Sequence, residues 1–222
     1  LSRASAVDAV MIAGDLLDIR SPVAPDVQAL AVTAALRDLA RRTTLFVASG
    51  NHDLDGRDRA GEKVARWMSL LAHDGVHGDF TSQPVGDDLV TVCPWWDGPL
   101  ARAALDDCLA EAARRPRRRW IWLHHAPPGR SPLAWDGRRA WGDDVLSDWI
   151  ERYEPDLVLT GHVHQAPFTA GGGWVDRIGT TWVFNAGQQS GPVPARIEID
   201  LEAGTAVWTS TGDRAEVELT FP

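Results

Sequence analysis

Thr44-Leu45-Phe46-Val47-Ala48-Ser49-Gly50-Asn51-His52-Asp53 is the stretch from which the fold is read. An apolar, β-prone run ends in small residues and a glycine, and three polar side chains follow in succession. Apolar runs without alternation suit a strand buried on both faces of a largely parallel sheet. In open α/β sheets, ligands collect just beyond the carboxyl ends of such strands. Gly50 would let the backbone turn sharply there and come close to a bound ion or ligand. Taken alone, Gly-Asn-His-Asp is equally readable as a polar turn that caps a strand.

The same construction occurs three more times. Val7 to Ala13 runs into Gly14-Asp15-Leu16-Leu17-Asp18, Trp120 to Leu123 into His124-His125-Ala126-Pro127-Pro128, and Asp156 to Thr160 into Gly161-His162-Val163-His164. Four buried strands would thus deliver Asp, Asn and His to one rim of one sheet. Oxygen and imidazole ligands together suit divalent Mn, Fe, Zn or Ni and not a calcium cage. Each motif by itself is weak; all four, each directly after an apolar strand, are a strong signal.

Composition narrows the class. A chain of 222 residues accommodates one large domain or two small ones with a sizeable core. No linker, internal repeat or low-complexity tract interrupts it, so residues 1–222 are read as a single domain. The net charge of -9 argues against sequence-independent nucleic-acid binding, which relies on basic surface. The arginines from Arg114 to Arg119 therefore read as a solvated connection between a helix and a strand. Cys93 and Cys108 imply no disulfide framework, and a reducing cytoplasm is the default setting. No apolar run approaches the length of a membrane span. The opening Leu-Ser-Arg-Ala-Ser-Ala reads as the tail of a helix leading into the first strand, and the natural N-terminus is expected upstream of Leu1.

Hydrophobic spacing predicts an amphipathic crossover helix over Asp26 to Arg42, with Val27, Leu30, Ala31, Ala34, Ala35 and Leu39 on one face. Leu54 to Gly61 reads as irregular, and Glu62 to Leu71 as a helix. Short strands are expected at Val76 to Phe80 and Asp88 to Cys93, then a helix from Leu100 to Ala113. Gly129 to Gly142, with Trp135, Arg138, Arg139 and Trp141, is a polar loop that is either a rim over a substrate or surface packed on the body. A helix from Asp143 to Tyr153 precedes the His162 strand. The last third, with strands near 174–178, 181–184, 195–201, 206–210 and 215–221, is read as a mostly antiparallel meander forming a second sheet.

With Gly14-Asp15-x-x-Asp18, Gly50-Asn51-His52-Asp53, His124-His125-x-Pro127, Gly161-His162-Val163-His164 and the short Phe184-Asn185-Ala186-Gly187 in order, the chain resembles the calcineurin-like metallophosphoesterase superfamily. The resemblance implies an α/β fold of four αββα layers, two stacked mixed sheets flanked by helices, with two divalent metals at the strand ends. It implies that Asp15 bridges the metals, that Asn51, His124 and His162 complete one shell, and that His164 binds the other ion. It implies that His52 donates a proton to the leaving group, with Asp18 orienting it, and that His125 stands behind the ligands. The family's first motif, Asp-x-His, occurs nowhere in the sequence, and its strand is expected upstream of Leu1. The arginine that follows Gly-Asp-x-x-Asp in protein Ser/Thr phosphatases is Ile19 here, which disfavours that activity.

The implied chemistry is hydrolysis of a phosphodiester of a small molecule or nucleotide. Two metals roughly 3.5–4 Å apart would neutralise the phosphate oxygens and hold a bridging hydroxide in line. An imidazole can protonate the leaving alkoxide near neutral pH. The alternatives are a phosphomonoesterase and a non-catalytic scaffold of the same fold, such as the retromer scaffold subunit; retention of His52 counts against the scaffold.

Overall fold

Ala9–Ile12 (β1), the helix Pro25–Ala40 (α1) and Thr44–Val47 (β2) build the βαβ unit that the quoted stretch demands. β1 and β2 pair in parallel, with Val10 opposite Leu45 and Ile12 opposite Val47. The structure, a computed structural model, describes residues 7–72, 75–191 and 193–222. The helix tail expected over 1–6 lies outside the described residues. The chain divides into two units, one running to His125 and the other from Ala126 to Pro222.

α1 turns a different face inward from the one its spacing suggests. Ala29, Thr33, Leu36 and Leu39 are buried, whereas Val27 and Leu30 are 53% and 64% exposed. An alanine-rich helix offers two weak stripes, and packing chooses between them. The stripe with Ala29 at its start lets the helix approach β1 and β2 closely, and Leu36 and Leu39 join Leu45, Val47, Trp67, Met68, Leu71 and Val76 in one core.

The helix expected over Glu62 to Leu71 is split. Gly56–Arg57 (β3) and Lys63–Val64 (β4) pair as a short antiparallel ribbon, and Arg66–Leu71 is a 3-10 helix. The reason lies in its carboxylates. Asp55 accepts the Arg66 and Trp67 N–H groups at 2.6 and 3.3 Å and so starts the helix late. Glu62 reaches away to accept the N–H groups of Leu100 and Ala101 at 2.8 and 2.9 Å, where it caps another helix.

Val76–His77 (β5) extends the first sheet by pairing with β2 in parallel. Ser82–Val85 (β6), which is not evident in the sequence pattern, pairs antiparallel with Asp88–Val92 (β7). The helix Pro99–Ala112 (α2) has proline in its first turn and buries Leu105, Leu109 and Ala112. Trp120–Leu123 (β8) is buried along its whole length and lies parallel to β7. Between α2 and β8 the arginines serve the backbone and the fold. Arg117 donates to the carbonyls of Ala113 and Arg115 and stands over the Trp120 ring, and Arg115 donates to Ser82 O at 2.5 Å. The mostly buried Arg119 pairs with Asp88 at 3.7 Å.

The second unit opens with a loop and the helix Asp144–Tyr153 (α3). Its N-cap, Asp143, accepts the Val145 and Leu146 N–H groups, and Glu154 closes it in the left-handed region. Leu157–Thr160 (β9), Val175–Ile178 (β10) and Thr181–Asn185 (β11) follow. β11 runs parallel to β9 and antiparallel to β10. Arg196–Asp200 (β12), Thr205–Thr209 (β13) and Arg214–Glu218 (β14) form a separate antiparallel sheet. The C-terminal third is therefore divided between two sheets and is not one meander. Thr160 Oγ1 donates to Phe184 O at 2.7 Å and Thr181 Oγ1 to Pro155 O at 2.5 Å, which tie β11 to the β9 segment. Burial agrees: β11 is covered almost throughout, while β12 and β14 keep exposed positions. The mixed α/β class expected from the motifs, with several sheets and flanking helices, is what the chain adopts. Among the described residues no helix is long and apolar enough to cross a membrane.

One carboxylate near β2, on a half-buried residue, makes stability depend on pH. Asp79 accepts the Ser49 N–H at 2.9 Å. Burial pushes its pKa up to about 6 against the pull of the Ser49 hydrogen bonds, and the Asp53 charge adds to the rise. Below about pH 4 both folded and unfolded forms are protonated. From there to about 6 the unfolded chain ionises first, so stability falls as pH rises, by about 2–3 kcal/mol in total. Asp79→Asn keeps an acceptor for Ser49 and removes the charge. Its stability relative to the parent should therefore rise between pH 4.5 and 7.5, read from denaturant midpoints at ~0.5-unit intervals. Parallel curves would show that Asp79 ionises freely.

Candidate metal centre

The loops that follow β1 and β2 meet backbone to backbone, and two glycines make this possible. A Cβ on Gly14 would lie 2.5 Å from Gly50 N, and one on Gly50 would lie 2.2 Å from Asp15 Oδ1 and 2.8 Å from His125 Cε1. Gly14 has φ of 87°, and Asp15 follows it into the left-handed region at 57°. A non-glycine residue held there is strained, and such strain concentrates at functional positions.

Asp53 holds the two loops together. It is fully buried and accepts four backbone N–H groups: Asp15 and Gly50 at 2.7 and 2.8 Å on one oxygen, Leu16 and Leu17 at 3.0 Å on the other. Burial raises its pKa, the hydrogen bonds from Gly50 and Leu17 pull it back, and the charge of Asp15 raises it again. Asp53 belongs to none of the expected ligand or proton-donor roles, although its place three residues after Gly50 at a strand-to-helix turn is the spacing of a capping carboxylate.

Asp15 lies at the centre of what the first unit assembles. Its Oδ1 accepts the His52 N–H at 2.9 Å, and its Oδ2 lies 3.2 Å from His125 Nε2 and 4.0 Å from His52 Nδ1. Burial would raise the Asp15 pKa. The hydrogen bond and charge of His125, with the His52 contacts, outweigh it and hold the carboxyl below its usual value. The histidine against Asp15 is thus His125, the one expected to stand behind the ligands. Strand geometry explains the choice: successive side chains past β8 point to opposite faces, so His124 and His125 cannot both turn the same way. His124 turns to Cys93, whose carbonyl lies 3.1 Å from its Nδ1, and stacks on Trp96 at 4.7 Å.

Both rings are oriented through their Nδ1 atoms, His124 on Cys93 O and His125 on Ala13 O. A carbonyl only accepts, so each Nδ1 carries the proton and each Nε2 is the nitrogen available for coordination. With Nδ1–H committed, His125 Nε2 and the Asp15 carboxylate either share a second proton or turn lone pairs toward a common cation. Asn51, in the same turn, has its carboxamide oxygen buried without a hydrogen-bond partner among the described residues. A buried amide oxygen left this way costs free energy unless something else satisfies it, and a divalent ion would. The donor set of carboxylate, amide oxygen and imidazole fits such an ion.

Asp18 is not placed to orient His52. It is exposed, its Oδ1 accepts the Arg20 N–H at 2.8 Å, and Gln28 clamps its backbone N–H and carbonyl. That clamp fixes the loop onto α1, and the carboxylate is spent on a local turn. His52 instead stands beside Asp15.

The second unit carries its own two histidines. His162 lies in the left-handed region at φ of 64°, after Gly161, as Asp15 does after Gly14. The Trp141 ring meets it edge-on at 6.4 Å. Asn185, completely buried, donates to Val163 O and Leu133 O at 3.0 and 3.2 Å and accepts the Gly187 N–H at 2.8 Å. His164 O accepts the Gln188 N–H at 3.0 Å. The Phe184-Asn185-Ala186-Gly187 motif therefore sets the backbone of the Gly161–His164 turn.

Several solved structures resemble the chain. TT1561 from Thermus thermophilus is 17% identical, with 95% of this chain and 86% of that one covered at a TM-score of 0.57. A predicted phosphoesterase from Streptococcus pneumoniae TIGR4 is 13% identical, covering 95% and 96% at a TM-score of 0.37. The Zn-complexed Vps29 of Entamoeba histolytica is 15% identical, covering 95% and 97% at 0.36. No curated protein matches the chain. The family model for calcineurin-like phosphoesterases matches residues 1–166, three quarters of the chain and every loop that carries the motifs up to His164. The chain belongs to the calcineurin-like phosphoesterase family.

Proposed function

We propose that the chain is a divalent-metal-dependent phosphodiesterase that acts on a small-molecule or nucleotide phosphoester. The observation that carries this reading is the Asp15 cluster: a strained, mostly buried carboxylate facing His125 Nε2, beside a turn whose Asn51 oxygen is buried and unbonded. Asp15, Asn51, His124 and His162 would hold one ion, and Asp15 and His164 would contribute to a second. His125 joins Asp15 in this reading, because its Nε2 faces that carboxylate. The chemistry supplied by Mn, Fe, Zn or Ni, once bound, is neutralisation of the phosphate oxygens and activation of water for attack.

The chain's own residues do the rest. The His52 N–H fixes one Asp15 oxygen, so Asp15 meets a cation in a set orientation. The His52 ring, half-buried beside Asp15, is the group that would give a proton to the departing oxygen. The Cys93 and Ala13 carbonyls keep the two neighbouring imidazoles in the tautomer that can coordinate.

The reading includes a reducing, cytoplasmic setting, which the free thiols of Cys93 and Cys108 support. It includes no membrane and disfavours, without excluding, a nucleic-acid partner, which the structural use of Arg115, Arg117 and Arg119 supports.

The test is hydrolysis of bis(p-nitrophenyl) phosphate, p-nitrophenyl phosphate and a p-nitroanilide by the native protein with Mn²⁺. The diester should turn over fastest, the anilide not at all, and a chelator should stop the reaction. Faster release from the monoester would make the protein a phosphomonoesterase. Bound metal with no turnover of any substrate would make it a scaffold.

A further inference from the structure

The loop between Gly129 and Gly142 is built to display two side chains. Asp136 organises it: Oδ1 accepts the N–H groups of Arg138 and Arg139 at 2.7 and 2.9 Å, and Oδ2 accepts Trp141 Nε1 at 2.6 Å. The Asp136 N–H donates to Arg139 O at 3.1 Å, and Trp135 and Ala140 form an antiparallel bridge. Gly137, at φ of 96°, makes the turn, and Trp135 Nε1 pins the loop to Ala170 O at 3.2 Å. The backbone hydrogen bond at Arg139, then that of the Trp141 indole, hold the Asp136 carboxyl below its usual pKa.

This framework leaves Trp141 42% exposed, with its ring edge-on to His162 and the Arg139 guanidinium carbon 3.3 Å from the ring centroid. Stacking uses the face of a guanidinium and leaves its N–H donors pointing outward in the plane. Among the described residues the Arg139 side chain makes no hydrogen bond, and its charge acts on the Asp136 carboxyl of the same loop. A surface cation with no task would be free to wander, but this one is held over an indole by a loop with its own hydrogen-bond framework. In a chain of net charge -9, a fixed cation beside a histidine of the site focuses attraction for anions at one place.

We propose that Arg139, held on Trp141 beside His162, docks a second phosphate group of the substrate, so that phosphoesters carrying a further phosphate are preferred. This rests on the phosphoesterase reading, in which His162 belongs to the site. Planar paired donors match phosphate oxygens bidentately, which suits arginine and not lysine to the task.

The experiment is calorimetric binding of thymidine 3′,5′-bisphosphate and thymidine 5′-monophosphate to the native protein with Mn²⁺, alongside Arg139→Gln, Arg139→Lys and Arg138→Gln. The parent should bind the bisphosphate about 5–10-fold more tightly. Arg139→Gln should lose that preference with an unchanged melting temperature, Arg139→Lys should keep part of it, and Arg138→Gln should keep all of it. A parent with no preference, or an Arg139→Gln variant that retains it, overturns the proposal. Preference with no phosphoester turnover by the same protein would instead overturn the phosphodiesterase reading and leave the docking role of Arg139 standing.

Discussion

Asp53→Ala is expected to lower the melting temperature by on the order of 10 °C and to strip metal from the protein. Four N–H groups converge on this carboxylate from two loops, and alanine would leave all four without an acceptor in a site that is closed to solvent. Each hydrogen bond to a charged group contributes roughly 1.5–3 kcal/mol, and a stranded buried donor costs about 1–3 kcal/mol. Relaxation of the loops would recover part of this, so a net loss of about 3–5 kcal/mol is expected, against a total stability of about 5–15 kcal/mol. A domain of this size shifts by about 2–4 °C per kcal/mol. The loops that relax are those that carry Asp15 and Asn51, so metal content should fall with stability. Asp53→Asn should behave almost as badly, because its amide N–H₂ faces donors. Melting curves and metal analysis of the purified variants decide it. A variant that melts within about 2 °C of the parent and keeps its metal would show that Asp53 does not hold the loops.

His52→Ala is expected to keep its metal and to lose turnover by roughly 10²–10⁴-fold on a substrate with a poor leaving group. The structure separates the two properties, because the backbone N–H of residue 52 holds Asp15 Oδ1 and survives the substitution. The ring stands 4.0 Å from the other oxygen, and in the proposed reading it would contribute the proton that an alkoxide needs on departure. With p-nitrophenolate, which leaves without protonation, the loss should shrink markedly. The comparison is therefore made between an alkyl and a p-nitrophenyl ester, with metal measured in both proteins. Equal losses on both esters, or a variant without metal, would take the proton-donor role away from His52. Asp18→Asn should leave the same ratio unchanged, since Asp18 is exposed and its Oδ1 is engaged with the Arg20 N–H.

The family and its strand-end motifs were legible along the chain because they depend on local chemistry. An apolar run without alternation reports a strand covered on both faces, and a glycine after it reports a backbone that must turn. The runs ending at Ile12, Val47, Leu123 and Thr160 are all strands within a residue or two of their expected bounds; the last three are buried almost throughout, whereas β1 is only half-buried along its length. Legibility also held for the helices that end in capping signals, such as α3 behind Asp143.

What eluded the sequence was any choice between near-equal local options. The alanines of α1 allow two faces, and only the presence of β1 and β2 made the stripe through Ala29, Leu36 and Leu39 the buried one. Glu62 could have continued a helix, but its carboxylate was drawn to the bare N–H groups at the start of α2, which lie far off along the chain and near in space. His124 and His125 are indistinguishable as neighbours in a string. Past the end of a strand they face opposite ways, and it was the packing of β8 that brought the second to Asp15 and the first to Cys93. Asp18 and Asp53 likewise looked alike as acidic residues near a glycine turn. Which became a loop's exposed tie and which became the buried acceptor of four N–H groups depended on where two separate loops met, and that meeting exists only once the sheet has formed.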